Sequence, residues 1–198
     1  MNWYTMKEKI LSYNQRTIIG KTVKLIPFTE THLRNPNYLS WLHDYEVIKY
    51  LNLPAYVKKP VSFEEVKNYV RSIIANESTF FYAVETLDNQ FIGTFKIGHI
   101  DWHAKNVNLG IMIGDKNYWG KGIGKELFSI AIEFCFSELE MHKVYGGCMG
   151  PNISMRTVFL SLGFKEEGCF RERDFFENKF SDHFHYGLLR QEYLKQKQ

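Results

Sequence analysis

A glycine-rich segment in the middle of the chain has the composition of an anion-binding turn. It reads Asn117-Tyr118-Trp119-Gly120-Lys121-Gly122-Ile123-Gly124-Lys125. The run before it alternates apolar and other residues like a strand, and the run after it repeats apolar residues every three or four positions like an amphipathic helix. The first amides of a helix lack partners within it, and the helix dipole favours an anion beside them. The sequence therefore predicts a phosphate site on a strand-to-helix turn.

The glycines and lysines of this segment have different predicted roles. Without a Cβ, a glycine backbone can come within hydrogen-bond distance of a phosphate, whereas a lysine supplies a flexible positive charge. The lysines in question are Lys116, Lys121 and Lys125. The alternative is a plain tight turn before an ordinary helix, because short glycine motifs are often fortuitous. A P-loop is excluded, since Lys125 is followed by Glu126 instead of Ser or Thr.

The elements around the turn predict an α+β fold with a mixed, mostly antiparallel sheet and flanking helices. We expect an N-terminal extension over 1–20 and a single domain over 21–194. A strand (21–26), two short helices (37–51) and a helix capped at Ser62 precede a hairpin (80–85 and 91–100). The strand before the glycine turn (106–114) and its helix follow. A strand (143–148), a helix (152–163) and a closing hairpin (164–171 and 183–190) complete the order.

Composition limits the classes of partner. The 198 residues carry 25 Lys and Arg against 22 Asp and Glu, a net charge of +3, which does not require a nucleic acid or an anionic membrane. The start lacks a secretory signal, and no uncharged apolar run approaches the ~20 residues of a membrane span. Cys135, Cys148 and Cys169 have no metal-site spacing and are expected to be buried thiols. We therefore expect a cytoplasmic protein with no metal.

Four motifs in order resemble those of the GNAT acetyltransferase superfamily, and within it the RimJ/RimL-type N-acetyltransferases. The segment 119–124 is similar to the family's acetyl-CoA motif, with Trp119 in place of the usual Gln or Arg. The strand 109–113 and the helix from Asn152 to Leu162-Gly163-Phe164 match two more. The fourth is the closing hairpin with Phe170-Arg171-Glu172-Arg173 and Tyr186-Gly187-Leu188-Leu189. The resemblance covers about residues 20 to 194 and implies a sheet with one splayed strand pair.

The resemblance also implies acetyl-CoA as co-substrate, bound without a metal. Its pyrophosphate would meet the amides of the glycine turn, and its pantetheine arm would add to the edge of the strand before it. The residues implied are Ile111, Met112, Ile113, Trp119, Gly120, Lys121, Gly122, Ile123, Gly124, Lys125 and Asn152. An amide near Met112 or Ile113 would stabilise the developing oxyanion. Asn152 is also a candidate N-cap of its own helix, although we favour contact with the pantetheine arm.

Two departures from the family pattern concern acid and base catalysis. Many members have a tyrosine as general acid seven residues after the Asn, where this chain has Phe159. Many also have a glutamate base just before the pantetheine strand, where Asn108 stands and could only orient water or the acceptor. The nearest titratable residues are His99 and Asp101. Because histidine suits base work at neutral pH, we predict His99 as the base, against the alternative of a structural hydrogen bond.

The resemblance implies a primary amine as the acetyl acceptor. We expect a small molecule, such as an amino sugar, a nucleotide-linked amino sugar or a polyamine. The alternatives are the N-terminal amine of a ribosomal or other protein, and a non-catalytic acyl-CoA-binding module that lost its acid and base. Trp41 and Tyr45, with Tyr50, are predicted to border the acceptor pocket, although aromatic residues at helical spacing are more often core. A homodimer is compatible with the sequence.

Overall fold

The computed structural model describes residue 10 and residues 12–51 and 59–197. These parts of the chain include eight strands, seven α-helices and a short 3-10 helix (Lys116–Tyr118). The strands are Ile18–Ile19 (β1), Val23–Pro27 (β2), Thr79–Thr86 (β3), Phe91–Asp101 (β4), Asn106–Ile113 (β5), Lys143–Met149 (β6), Lys165–Phe176 (β7) and Lys179–Leu189 (β8). The helices are Glu30–Leu33 (α1), Pro36–His43 (α2), Tyr45–Ile48 (α3), Phe63–Ile74 (α4), Ile123–Ser137 (α5), Ile153–Ser161 (α6) and Arg190–Gln196 (α7).

The strands form one mixed sheet in the order β1-β2-β3-β4-β5-β6-β8-β7. Neighbouring strands are antiparallel except for β5 and β6, which are parallel. These two strands pair only at Asn106–Lys143, Val107–Val144 and Asn108–Tyr145, and they then diverge. The predicted α+β fold with a splayed strand pair is therefore confirmed. The divergence leaves a gap in the middle of the sheet.

Each face of the sheet is covered by its own hydrophobic cluster, because alternate side chains of a strand point to opposite faces. The larger cluster packs α5 against one face, with Leu127, Phe128 and Ala131 buried. The smaller cluster packs α2 and α4 against the other face, through residues such as Trp41 and Val66. The sheet thus separates two layers of helices.

Local signals in the sequence account for several helix boundaries. Ser62 caps α4 as predicted: its hydroxyl accepts from the Glu65 amide at 3.3 Å, and the Glu65 carboxylate accepts from the Ser62 amide at 2.7 Å. Asp44 caps α3 by accepting from the Glu46 amide at 3.0 Å. Such caps are worth ~1 kcal/mol each. They fix where α3 and α4 begin.

The structure departs from the sequence predictions in several places. The closing hairpin is longer than expected, since β7 continues to Phe176 and β8 begins at Lys179. The charged tail forms α7. Of the three cysteines, Cys169 is exposed instead of buried. Residues 1–9 of the predicted extension lie outside the described residues, but Tyr13 is buried in the larger cluster, so packed structure begins before residue 21. Within the described residues, every helix is too short or too polar to cross a membrane.

Candidate functional site

The glycine turn has an open face in front of the first turn of α5. Gly120 and Gly122 have φ values of +72° and +79°, a left-handed conformation that glycine adopts without strain. A Cβ built on either glycine would meet nothing within 4 Å, so the space in front of the backbone is free. The first intrahelical bond of α5 is donated by the Glu126 amide to the Gly122 carbonyl, at 3.1 Å. The amides of residues 123–125 precede it and face this space, as an anion site requires.

Charges near the turn are arranged so that no carboxylate of the first helical turn opposes an anion. The Glu126 carboxylate turns back to the β1–β2 loop, where it accepts from the Thr22 amide at 2.8 Å and the Thr22 hydroxyl at 2.6 Å. Burial alone would raise the pKa of Glu126, but these hydrogen bonds outweigh it and lower the pKa. Lys116 is bound to Asp44 at 2.5 Å, so its predicted role in attracting a phosphate is weaker than that of the exposed Lys121 and Lys125.

The edge of β5 that faces the gap is free of strand partners beyond Asn108. The Gly114 amide donates to the Ile92 carbonyl of β4. In an antiparallel pair, residues whose backbone groups bond the neighbouring strand alternate with residues whose backbone groups point away from it. The backbone groups of Ile111 and Ile113 therefore point into the gap, whereas those of Met112 point to β4. The Trp119 indole, which replaces the usual Gln or Arg, donates to the Ile113 carbonyl at 2.9 Å. Trp119 thus ties the glycine turn to this edge.

A cavity of about 400 Å³ passes through the gap and reaches both faces of the sheet. On the α5 side it is lined by residues of β5, α5 and α6, including Ile111, Phe128, Asn152, Met155 and Phe159. On the other side its walls come from α2, α4 and the sheet. Those residues include Tyr38, Leu42, Tyr50, Tyr69, Lys96, Asn108, Met112, Tyr145, His183 and His185. A ligand entering from one face can therefore meet a second ligand entering from the other.

The predicted acceptor and catalytic residues are only partly brought together by this cavity. Asn108 and Met112 line it, and so does Tyr50. Trp41 is buried in the core beneath Gly114 and Tyr45 is exposed; neither is among the lining residues. Acceptor binding by these two residues stays a prediction that the cavity does not support.

His99 also lies away from the cavity. Its side chain is exposed on β4, and its Nδ1 is 3.4 Å from the Ser78 hydroxyl. It is not among the lining residues. Because His99 does not contact the cavity, the structure does not support the prediction that it is the base. The alternative, a structural hydrogen bond, is supported by the contact between His99 and Ser78.

Asn152 combines the two roles that the sequence left open. Its side-chain oxygen accepts from the Met155 amide at 3.1 Å and so caps α6, and the residue also lines the cavity. The cap is therefore formed, and it does not exclude contact with the pantetheine arm. The amide nitrogen of the same side chain remains the group that can donate to a ligand.

We predict that Asn152→Asp and Asn152→Ala separate these roles. Aspartate keeps a capping oxygen but loses the amide donor, so acetyl-CoA KM should rise by about two- to tenfold, the worth of one neutral hydrogen bond, with an unchanged melting temperature. Alanine should show the same rise in KM and an added loss of ~1 kcal/mol in stability. Steady-state kinetics and thermal melting test both variants. Normal KM values in both would leave Asn152 as a cap alone.

Phe159 and Cys148 lack the chemistry of an acid or a nucleophile. Phe159 is 1% exposed and stacks on Tyr186 with ring centroids 5.0 Å apart. Its ring fills the place of a side chain on β6, since a Cβ on Gly146 would lie 2.7 Å from it. Burial raises the pKa of the Cys148 thiol to about 11, which keeps it protonated at neutral pH. Phe159 therefore cannot protonate the departing sulfur, and the protonated Cys148 thiol cannot attack the thioester as a thiolate.

Three polar residues of the cavity were missed by the sequence predictions. Lys96 is the single lysine in the largely apolar strand β4, and burial lowers its pKa. His183 and His185 alternate in β8, which places both side chains on one face of the sheet. A polar residue within an otherwise apolar strand was the sequence signal that could have identified these residues as part of the site. Among the described residues, no group of three or more His, Cys, Asp and Glu side chains is arranged to hold a metal ion.

Comparison with known proteins supports one family. A family model described as an acetyltransferase (GNAT) domain matches residues 22–165. An uncharacterized N-acetyltransferase p20 of Bacillus licheniformis is 23% identical over 150 residues, 76% of this chain and 84% of the relative. The spermidine N(1)-acetyltransferase of Vibrio cholerae is 25% identical over 133 residues, 67% of this chain and 76% of the relative.

Solved structures show the same fold. The crystal structure of spermidine N-acetyltransferase from Vibrio cholerae in complex with CoA and spermine has a TM-score of 0.77 to this chain. It is 22% identical, and the match covers 87% of this chain and 98% of that one. A GNAT-family acetyltransferase from Bacillus anthracis has a TM-score of 0.73 at 18% identity, covering 89% of this chain and 100% of that one.

Proposed function

Because this chain belongs to the GNAT acetyltransferase family, we propose that it transfers the acetyl group of acetyl-CoA directly to the primary amine of a small molecule. The observation that carries the proposal is the cavity through the gap between β5 and β6, whose lining includes Ile111 and Met112 of the strand that leads to the open glycine turn. The pyrophosphate would accept from the amides of residues 123–125. The pantetheine arm would pair with the free edge of β5 at Ile111 and Ile113. The thioester would then lie in the gap, within reach of an amine from the α2–α4 side.

The residues around the gap define what the protein supplies to the reaction. The Ile113 carbonyl is held by Trp119, and the amides of Ile111 and Ile113 are the groups placed to stabilise an oxyanion on the thioester carbonyl. Of the two residues predicted from the sequence, Met112 and Ile113, only Ile113 has an amide that points into the gap, because the Met112 amide is turned to β4. Since Phe159 has no proton to give, the departing thiolate would take its proton from the attacking amine or from water. No covalent enzyme intermediate is needed.

The charge of the cavity favours an amino sugar as the acceptor. None of the described residues that line it is an Asp or Glu, while Lys96, His183 and His185 are basic. A polyamine carries several positive charges and would find no counter-charge in this wall, whereas the hydroxyls or phosphate of a sugar derivative could bond Lys96. The second candidate is a polyamine, because the spermidine N(1)-acetyltransferase of Vibrio cholerae is a relative and a solved spermidine N-acetyltransferase from the same organism has the same fold.

A mass-spectrometric screen with acetyl-CoA tests these candidates together. The panel would contain amino sugars, nucleotide-linked amino sugars, polyamines and peptides with free N-termini. Saturable acetylation of an amino sugar is the expected result. Turnover of peptides alone would support the N-terminal protein acetyltransferase instead. Binding of acetyl-CoA without transfer to any amine would contradict an enzyme and support the non-catalytic acyl-CoA-binding module.

We predict that Lys96→Glu changes acceptor preference. A partly buried charge ~8 Å from a ligand cation is worth ~2 kcal/mol at an effective dielectric constant of ~20, so reversing its sign should raise kcat/KM for spermidine at least ~10-fold relative to an amino sugar. Lys195→Glu, on exposed α7, is the matched charge change away from the cavity. Relative kcat/KM values for the two acceptors are the measurement. An equal change in both variants would remove Lys96 from the acceptor site.

The finer points of the sequence prediction form part of the same proposal. They are membership of the RimJ/RimL-type branch, a single domain over 21–194, and a cytoplasmic location without nucleic-acid or membrane partners. A homodimer is compatible with the proposal. Sedimentation analysis would determine the oligomeric state.

A further inference from the structure

A buried carboxylate and a histidine form a pair at the wall of the cavity. His183 Nδ1 on β8 lies 2.7 Å from Asp174 Oδ2 on β7. Asp174 is 2% exposed, although a carboxylate is costly to bury without a partner. Among the described residues its other oxygen, Oδ1, has no hydrogen-bond partner. The carboxylate thus depends on His183 for its stabilisation.

This hydrogen bond fixes the orientation and tautomer of His183. A deprotonated carboxylate can only accept, so Nδ1 must carry the proton and donate it to Asp174. In the neutral ring Nε2 is then the atom with a free lone pair. This is the arrangement by which a carboxylate prepares a histidine for proton abstraction in other enzymes.

The ring edge that carries Nε2 lies over β6 at the gap. A Cβ built on Gly147 would be 2.6 Å from His183 Nε2, so the absence of a side chain there makes room for the imidazole. Pairing of Asn108 with Tyr145 and of Gly147 with His185 puts His183 on the same face of the sheet as Asn108. His183 and Asn108 both line the cavity. Nε2 is therefore on the side from which an acceptor would enter.

The other titratable groups near His183 do not compete for this role. Burial, followed by the nearby His183 and Arg173, lowers the pKa of His185, which keeps that ring neutral. Cys148 stays protonated, and Phe170 packs against His185 with ring centroids 4.5 Å apart and ring planes tilted by 58°. The charged and titratable side chains around the pair are Glu166, Glu167, Arg173 and Asp174 on β7, His185 on β8, Cys148 on β6, Arg156 on α6 and Lys96 on β4.

We infer that His183 is the general base of acetyl transfer and that Asp174 is its positioning residue. The inference rests on the proposed function and assigns a base where Asn108 and Phe159 left none. His183 Nε2 takes one proton from the ammonium form of the acceptor, directly or through one water. The amine nitrogen then bonds to the thioester carbonyl carbon, the carbon–sulfur bond breaks, and a second amine proton goes to the departing thiolate. The products are the N-acetyl compound, CoA with a free thiol, and one proton released to solvent from His183.

The pH dependence of kcat/KM for the acceptor tests His183. His183→Ala should lower kcat/KM by about 100-fold at neutral pH, and the deficit should shrink as the pH approaches the pKa of the amine. His183→Gln keeps a donor for Asp174 but has no proton-accepting nitrogen, so it should show the same kinetic loss with a wild-type melting temperature. His103→Ala removes an exposed histidine in the turn after β4 and should match wild type. The CoA dissociation constant should be unchanged in all three.

Asp174→Asn tests the positioning role. It should lower kcat with little change in KM and move the midpoint of the pH–rate curve to lower pH, because the imidazolium loses its counter-charge. A purely structural Asp174 would change the melting temperature and leave the curve where it is. A wild-type pH profile in His183→Gln would overturn the assignment of the base. Wild-type protein that transfers acetyl to no amine would overturn the proposed function and, with it, this assignment.

Discussion

Replacing Gly122 with Asp is expected to weaken CoA binding by about 100-fold or more. The new carboxylate would stand in the open space before the first amides of α5 and repel the pyrophosphate. Loss of two charge-assisted hydrogen bonds at ~1.5 kcal/mol each already corresponds to that factor. Gly122 has a φ of +79°, a left-handed conformation that asparagine and aspartate tolerate better than other non-glycine residues, so the expected effect comes mainly from the added charge. Calorimetric titration with CoA measures the effect.

Gly122→Asn is the matched control for this prediction. Asparagine has the size of aspartate and tolerates the left-handed conformation, but it carries no charge. Its dissociation constant should fall between wild type and Gly122→Asp. Affinity for CoA within about threefold of wild type in Gly122→Asp, less than ~1 kcal/mol, would show that the turn does not bind the pyrophosphate.

Gly114→Ala is expected to destabilise the protein by ~3 kcal/mol, at the upper end of the usual cost of overpacking. A Cβ at this position would lie 1.9 Å from Cδ2 of the Trp41 ring, which is buried and has no room to move. Trp41 holds α2 against the end of β5, and α2 carries Tyr38 and Leu42 of the cavity wall. Denaturant unfolding would measure the loss, and acceptor KM should rise with it.

Gly168→Ala provides the control for this second prediction. Gly168 lies in strand β7, and a Cβ there would meet nothing within 4 Å. The same chemical change should therefore alter stability by less than ~0.5 kcal/mol. If Gly114→Ala were equally mild, Trp41 would have to be mobile, and its predicted role in acceptor binding would regain support.

Features set by residues close together in the chain could be predicted from the sequence. The glycine turn and the Ser62 cap depend on spacings of a few residues and were found at the expected places. The splayed strand pair was predicted from the family resemblance, because the sequences of β5 and β6 alone do not indicate that the two strands diverge after Asn108. Local chemistry and a family pattern thus gave the fold and the cofactor side of the cavity.

The acceptor side depends on pairings that a single sequence does not reveal. Asp174 meets His183 because the pairing of β7 and β8 shifts register between Phe170 and Asp174, which a residue count across the hairpin cannot foresee. His99 looked equally suited to base work from its residue type, yet its side chain is exposed on β4 and outside the cavity. Tertiary placement, not residue type, separates the two histidines.

Hydrogen exchange with and without CoA tests the central claim, that the glycine turn and the free edge of β5 together hold the cofactor. The amides of Gly124, Lys125, Ile111 and Ile113 lack partners in their own helix or strand and should exchange fast in the free protein. Bound CoA should slow all four, while amides at the tip of the β3–β4 hairpin keep their rates. Protection elsewhere with unchanged exchange at both the turn and the β5 edge would contradict the claim.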